Sequence, residues 1–213
     1  VLYVPGCIAW SRWLRSPLAV CAAAPGTSIF LYAAAGILFS KLHVSIGARD
    51  IFLSSLAVGL VSLGVSLLLH RRKRTYDGMQ SELKLLAVCL IVGFVFTYWF
   101  FAHSLSSWSA IIQSEDNIRH YAFIQSLLGS NDWSTLDVSM YGMGSSQILG
   151  PNAMPDGSMY PLGWHIISAL TCAFSSASVG VGSNMANFAF IATTLPIGTC
   201  SMLACIFPKH PKR

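Results

Sequence analysis

LLAVCLIVGFVFTYWFFA, residues 85–102, is an uncharged run of eighteen residues that ends in a cluster of aromatics. A bilayer core is crossed by roughly 20 consecutive apolar residues in a helix, and Trp and Tyr collect where such a helix meets water. Directly after it comes a different kind of sequence. Residues 103–161 carry Glu115, Asp116, Asp132, Asp137 and Asp156, five of the eight acidic residues, and only Arg119 of the thirteen basic ones. An apolar run delivering the chain to an acidic, water-compatible segment is the signature of a membrane span followed by a loop.

Working outward, the same pattern recurs. Residues 17–39 and 51–69 hold no charge, 162–179 hold one His, and 184–207 hold no charge. Five candidate spans result, the last two being rich in Ser, Thr and Gly. Residues 1–9 are apolar but too short to cross, and suit the tail of a further helix or an interfacial piece. Over the whole chain 10% of residues are charged and 54% hydrophobic, against about 25% charged in soluble domains. The expected fold is all-α: a multi-pass transmembrane bundle with one long extracytoplasmic loop containing an interfacial helix. Its divisions are 1–102 (about three spans), 103–161 (the loop, with a surface helix over 114–128), 162–207 (one or two spans) and a basic tail, 208–213.

The net charge of +5 does not point to nucleic acid, because the basic residues gather at helix ends, above all Arg71-Arg72-Lys73-Arg74. This is the positive-inside pattern. With the amino terminus inside, the inner segments hold Arg12, Arg15, Arg71, Arg72, Lys73, Arg74 and Lys84, and the outer ones Lys41, Arg49 and Arg119. That places 103–161 outside a plasma membrane. Lys209, Lys212 and Arg213 object, since five crossings would leave them outside. Either the last two runs make one crossing plus a re-entrant piece, or the chain is a truncated fragment; its start at Val1 and its stop just after the last apolar run favour truncation.

Leu18-Ala19-Val20-Cys21 and Ala22-Ala23-Ala24 faintly resemble processing sites, but Arg12 and Arg15 stand where a leader needs its apolar region. Residues 17–39 therefore read as an uncleaved span, bent or broken at Pro25-Gly26, where neighbouring helices must satisfy the freed carbonyls. Cys7, Cys21, Cys89, Cys172, Cys200 and Cys205 all lie in apolar stretches with no Cys-x-x-Cys pair, and read as small packing residues.

Chemistry is concentrated in SEDNIRHY, residues 114–121. Ser114 is a good helix cap, with acids in the first turn. Ile118, Tyr121, Ala122, Ile124 and Leu128 make one apolar side, as in a helix lying on a membrane surface. Asp116 and His120 are four apart and Arg119 three from Asp116, so all three share a face. Such a carboxylate can serve as a general base or hold a divalent metal; Arg119 and His120 can meet phosphate. The same residues equally satisfy helix-end electrostatics. His165, after Trp164 at the start of an apolar run, is a functional candidate as an ionisable group in a membrane helix, and also a natural interfacial anchor; His103 reads as an anchor. Residues 142–146, GMGSS, lack the Lys of a phosphate loop and read as a linker, and Pro155-Asp156-Gly157 reads as a turn.

An acidic pair opening a surface helix (Glu115-Asp116, then His120-Tyr121), a Gly/Asn-Asp-Trp end (Gly129 to Trp133) and a Tyr-Pro-Leu-Gly-Trp-His re-entry (Tyr160 to His165) resemble the first outer loop of GT-C-type glycosyltransferases, which use polyprenyl-phosphate-linked sugars. The layout also resembles an uncharacterised family of actinobacterial multi-pass membrane proteins with an Asp, a His four residues on, and Tyr-Pro-x-x-Trp-His in the same loop. The likeness spans about 65 residues. It implies Asp116 as catalytic carboxylate or metal-adjacent ligand, with Glu115 and His120 in support, and Arg119, His165 and Trp164 on the substrate side. Two departures stand out: apolar runs precede the loop, and GT-C enzymes have many more spans. The rival classes are a non-catalytic membrane subunit, with other membrane subunits as partners, and a transporter piece, which lacks the ionisable groups deep in its spans that transport needs.

Overall fold

The computed structural model describes residues 1–69, 78–111, 115–136 and 159–207, without the side chains of Glu115 and Asp116. The basic run 71–74, the linker 142–146, Asp137, the turn at Asp156 and the tail 208–213 lie outside the described residues. Among those described, every regular element is helical: α1 Val4–Trp10, α2 Pro17–Lys41, α3 Ala48–Leu69, α4 Met79–Thr97 continued by a π-helical turn Tyr98–Ala102, α5 Glu115–Ser130, α6 Gly163–Ser175, α7 Val179–Ala189, a second π turn Phe190–Thr194, and α8 Leu195–Ile206.

Four helices are long and apolar enough to cross a membrane: Pro17–Lys41, Ala48–Leu69, Met79–Ala102 and Val179–Ile206. Their outward faces are hydrocarbon, with Val61, Leu68, Ile91 and Val95 each more than half exposed. Such faces are stable only where lipid is the solvent. The fifth expected span does not form. The run 162–179 makes α6, thirteen residues and about 20 Å long, against a hydrocarbon core of about 30 Å. It stops at Ser176, which takes the left-handed conformation (φ 53°) and caps α6 by donating its N–H to the Cys172 carbonyl. The chain then turns back at once, and the Ser178 hydroxyl caps α7 by accepting from Val181 N. α6 and α7 pack so closely that a Cβ on Gly182 would strike the Cys172 sulfur.

Side-chain contacts define two ends of the bundle. At one, α2 and α4 both begin. Ser16 caps α2 by accepting from Ala19 N (3.0 Å), and Glu82 of α4 accepts from the Ser16 hydroxyl (2.6 Å) and from Leu18 N (3.2 Å). At the other end α2 finishes and α3 starts. There Ile46 N donates to Asn131 O, and Ser40 donates to Asp132 at 3.3 Å. Asn184 of α7 donates to the Trp108 and Ala110 carbonyls. The long helices alternate in direction, so α8 finishes towards the end of the bundle at which α2 begins.

Pro25-Gly26 does not break α2, which runs unbroken from Pro17 to Lys41. α1 packs against it, Gly6 N donating to Ser28 Oγ at 3.0 Å; a Cβ on Gly6 would collide with the Ala24 carbonyl. Part of the apolar side of α5 meets protein: Phe123, Ile124 and Leu127 are buried with Ile166, Ile167 and Leu170 of α6 in the main core, while Ile118 stays exposed. Trp133 closes that core, 1% exposed, its backbone against Gly36 of α2 where any Cβ would collide.

Candidate functional site

The packing of α5 on α6 decides what the site contains. Because Phe123, Ile124 and Leu127 anchor one face of α5 on α6, His120, one turn earlier on the helix, is brought to the amino-terminal end of α6. There its Nδ1 lies 2.8 Å from Nε2 of His165. The two rings sit 5.0 Å apart, inside an aromatic cluster of Phe123, Tyr160 and Trp164. Tyr160 is fixed by its N–H to Thr135 O and stacks on Phe123 at 4.7 Å. Trp164 is held by its indole N–H donating to Asn187 of α7 at 2.8 Å.

Of the residues singled out from sequence, His120, His165 and Trp164 come together. Arg119 is half-buried beside His120 on α5. Glu115 and Asp116 open α5, Asp116 one turn ahead of His120 by helical register; their carboxylates lie outside the described residues. His103 is elsewhere, stacked on Trp99 at the end of the third span. Tyr160, Phe123 and Asn187 were not identified as site residues. Tyr160 stood inside the quoted motif, whereas nothing in the sequence marks Asn187 as a partner of Trp164.

His165 is 3% exposed, and its Nδ1 has no partner among the described residues, nor has the buried hydroxyl of Ser168 one turn on. Burial first, and the neighbouring His120 second, pull its pKa down to about 4. At neutral pH His165 is therefore uncharged. The His120–His165 contact joins α5 to α6 through two ring nitrogens, one donating and the other accepting.

Among the described residues no group of three His, Cys, Asp or Glu side chains converges; the Glu115 and Asp116 carboxylates lie outside them.

The low pKa has a consequence for stability. An unfolded imidazole takes up a proton near pH 6.5 and the folded one resists it to about 4. Stability is therefore fully present above about 6.5 and falls as pH drops through that window, by about 3 kcal/mol at pH 4. His165→Phe is expected to flatten this slope; thermal unfolding of the detergent-solubilised protein between pH 7.5 and 4.5 measures it, and equal slopes in both proteins would show that His165 is not the group responsible.

Taken together, the four apolar spans and the helix pair docked at one end of them define a multi-pass, all-helical membrane protein. The chain belongs to a family of unknown function, DUF6541, which it matches over residues 1–213. No curated protein and no solved structure matches it.

Proposed function

We propose that this protein is a GT-C-like glycosyltransferase of the cell envelope, or the part of one that carries its first outer loop, working on a polyprenyl-phosphate sugar at the outer face of the plasma membrane. The observation that carries the reading is the His120–His165 contact: two histidines 45 residues apart in sequence, each drawn from a motif of the resemblance, meet beside Trp164 and Tyr160. In this reading Asp116 deprotonates the acceptor hydroxyl with Glu115 in support. His120 and Arg119 face the donor phosphate, and His165 and Trp164 shape the substrate side. Aromatic faces such as Tyr160 and Trp164 suit a sugar ring. Lipid is the solvent of the spans and the source of the donor.

Among the described residues Arg12, Arg15 and Lys84 lie towards the end where α2 and α4 begin, and Lys41, Arg49 and Arg119 towards the end where α5 docks, so the orientation rests on the basic run 71–74 in the sequence between α3 and α4. The test is topology. Ser130 is exposed at the end of α5. With the six native cysteines replaced, Ser130→Cys is expected to react with a membrane-impermeant maleimide in intact cells. Reaction only after lysis would place the site in the cytoplasm and remove the reading.

A further inference from the structure

We infer that Cys89 and Cys200 form a dithiol site that a lipid-soluble quinone oxidises to a disulfide, tying α4 to α8. The two residues are 111 apart in sequence, yet their sulfurs lie 3.1 Å from each other. A disulfide bond measures about 2 Å, so small side-chain rotations close the gap. The helices are held in the register this needs: one turn along α4, Gly93 lies so near the Ala192 carbonyl that no Cβ would fit between them. Chance proximity of two packing cysteines does not require such a fixed backbone on both sides.

Cys7 and Cys21, both half-buried, are also hydrogen-bonded to each other, between α1 and α2. What the structure shows for Cys89 and Cys200 is a cleft: they line a space of about 390 Å³ with Val92, Phe96 and Leu195, residues 59%, 57% and 63% exposed on the outside of two helices long and apolar enough to cross a membrane. Cys89 is 5% exposed and Cys200 half-buried, so Cys200 is the sulfur the cleft presents first. No charged residue lines the cleft. An oxidant reaching it must be apolar, dissolve in lipid, and accept two electrons with two protons. A quinone meets all three conditions. Both S–H bonds break, one S–S bond forms, and the two quinone oxygens take up the two electrons and two protons, leaving as hydroquinone.

The test uses the protein in lipid nanodiscs with decylubiquinone, whose ring has no unsubstituted position for a thiol to add to, and whose adduct by methoxy displacement would show as a gain in mass. In a variant retaining only Cys89 and Cys200, quinone is expected to remove two hydrogen masses and abolish maleimide uptake by both thiols. Tributylphosphine should reverse both changes. Adding Cys89→Ser should leave Cys200 reactive and the mass unchanged. In the wild-type protein, peptide mapping should recover the Cys89–Cys200 linked pair, which guards against misfolding of the variant. Two thiols still open to maleimide after quinone treatment would overturn the inference, as would a cross-link formed by copper–phenanthroline but not by the quinone.

Discussion

Asp116→Asn is expected to lower sugar transfer from a polyprenyl-phosphate donor by about 10³-fold while leaving the protein folded, as removal of a general base does. The expectation rests on position. Asp116 stands in the first turn of α5, one turn ahead of His120, and His120 is locked to His165 of α6. α5 cannot roll to present another face, because Phe123, Ile124 and Leu127 are buried in the main core. The Asn variant keeps the size of the side chain but cannot take a proton. Membranes containing the variant, assayed with a panel of radiolabelled polyprenyl-phosphate sugars, give the rate, and thermal unfolding gives the fold. Asp132→Asn is the control. Asp132 accepts from Ser134 N and the Ser40 hydroxyl, a local structural role that should leave transfer unchanged. If wild-type membranes transfer sugar and Asp116→Asn membranes match them, the carboxylate is not the base, and a non-catalytic membrane subunit becomes the better account.

The spans were legible because a long uncharged run is stable either in lipid or in a protein core, and a chain this poor in charge has too little polar surface to cover so many core helices. Residues 85–102 announce themselves without any knowledge of their neighbours. The run 162–179 meets the same compositional rule and fails. Its length is divided by a backbone reversal at Ser176 and a cap at Ser178, and hydropathy is blind to a Ser in left-handed conformation.

The site was legible as a set of residues and not as an arrangement. His120 and His165 were each visible, one by spacing from Asp116 and one by its place at the head of an apolar run. Their contact depends on tertiary docking of α5 on α6, and apolar residues 118–128 suit a lipid surface as well as a protein groove. The cysteines show the same limit more sharply. Without Cys-x-x-Cys spacing they read as packing residues, yet four of the six meet in two pairs across helix interfaces, because helix packing rather than sequence distance sets which side chains touch.

Gly93→Val is expected to destabilise the protein by about 3 kcal/mol or more, the upper range for overpacking, and to cut the yield of monodisperse protein. Association of helices in lipid has no hydrophobic drive and depends on close van der Waals approach at small residues. At Gly93 the approach is to backbone: a Cβ would strike the Ala192 carbonyl and the Pro196 ring. A flexible side chain could swing aside, whereas a helix carbonyl cannot move without its helix. The strain also has somewhere to go. Ala192 belongs to the same continuous helix as Asn187, which holds the Trp164 indole beside His165, so displacing the second π turn should loosen the aromatic cluster. Gly64→Val supplies the comparison. Gly64 lies in α3 with nothing within 4 Å of its missing Cβ, and its substitution should change thermal unfolding little. Equal behaviour of the two variants would show that the α4 contact at Ala192 does not hold the C-terminal span in place, and the coupling from that span to Trp164 would fall with it.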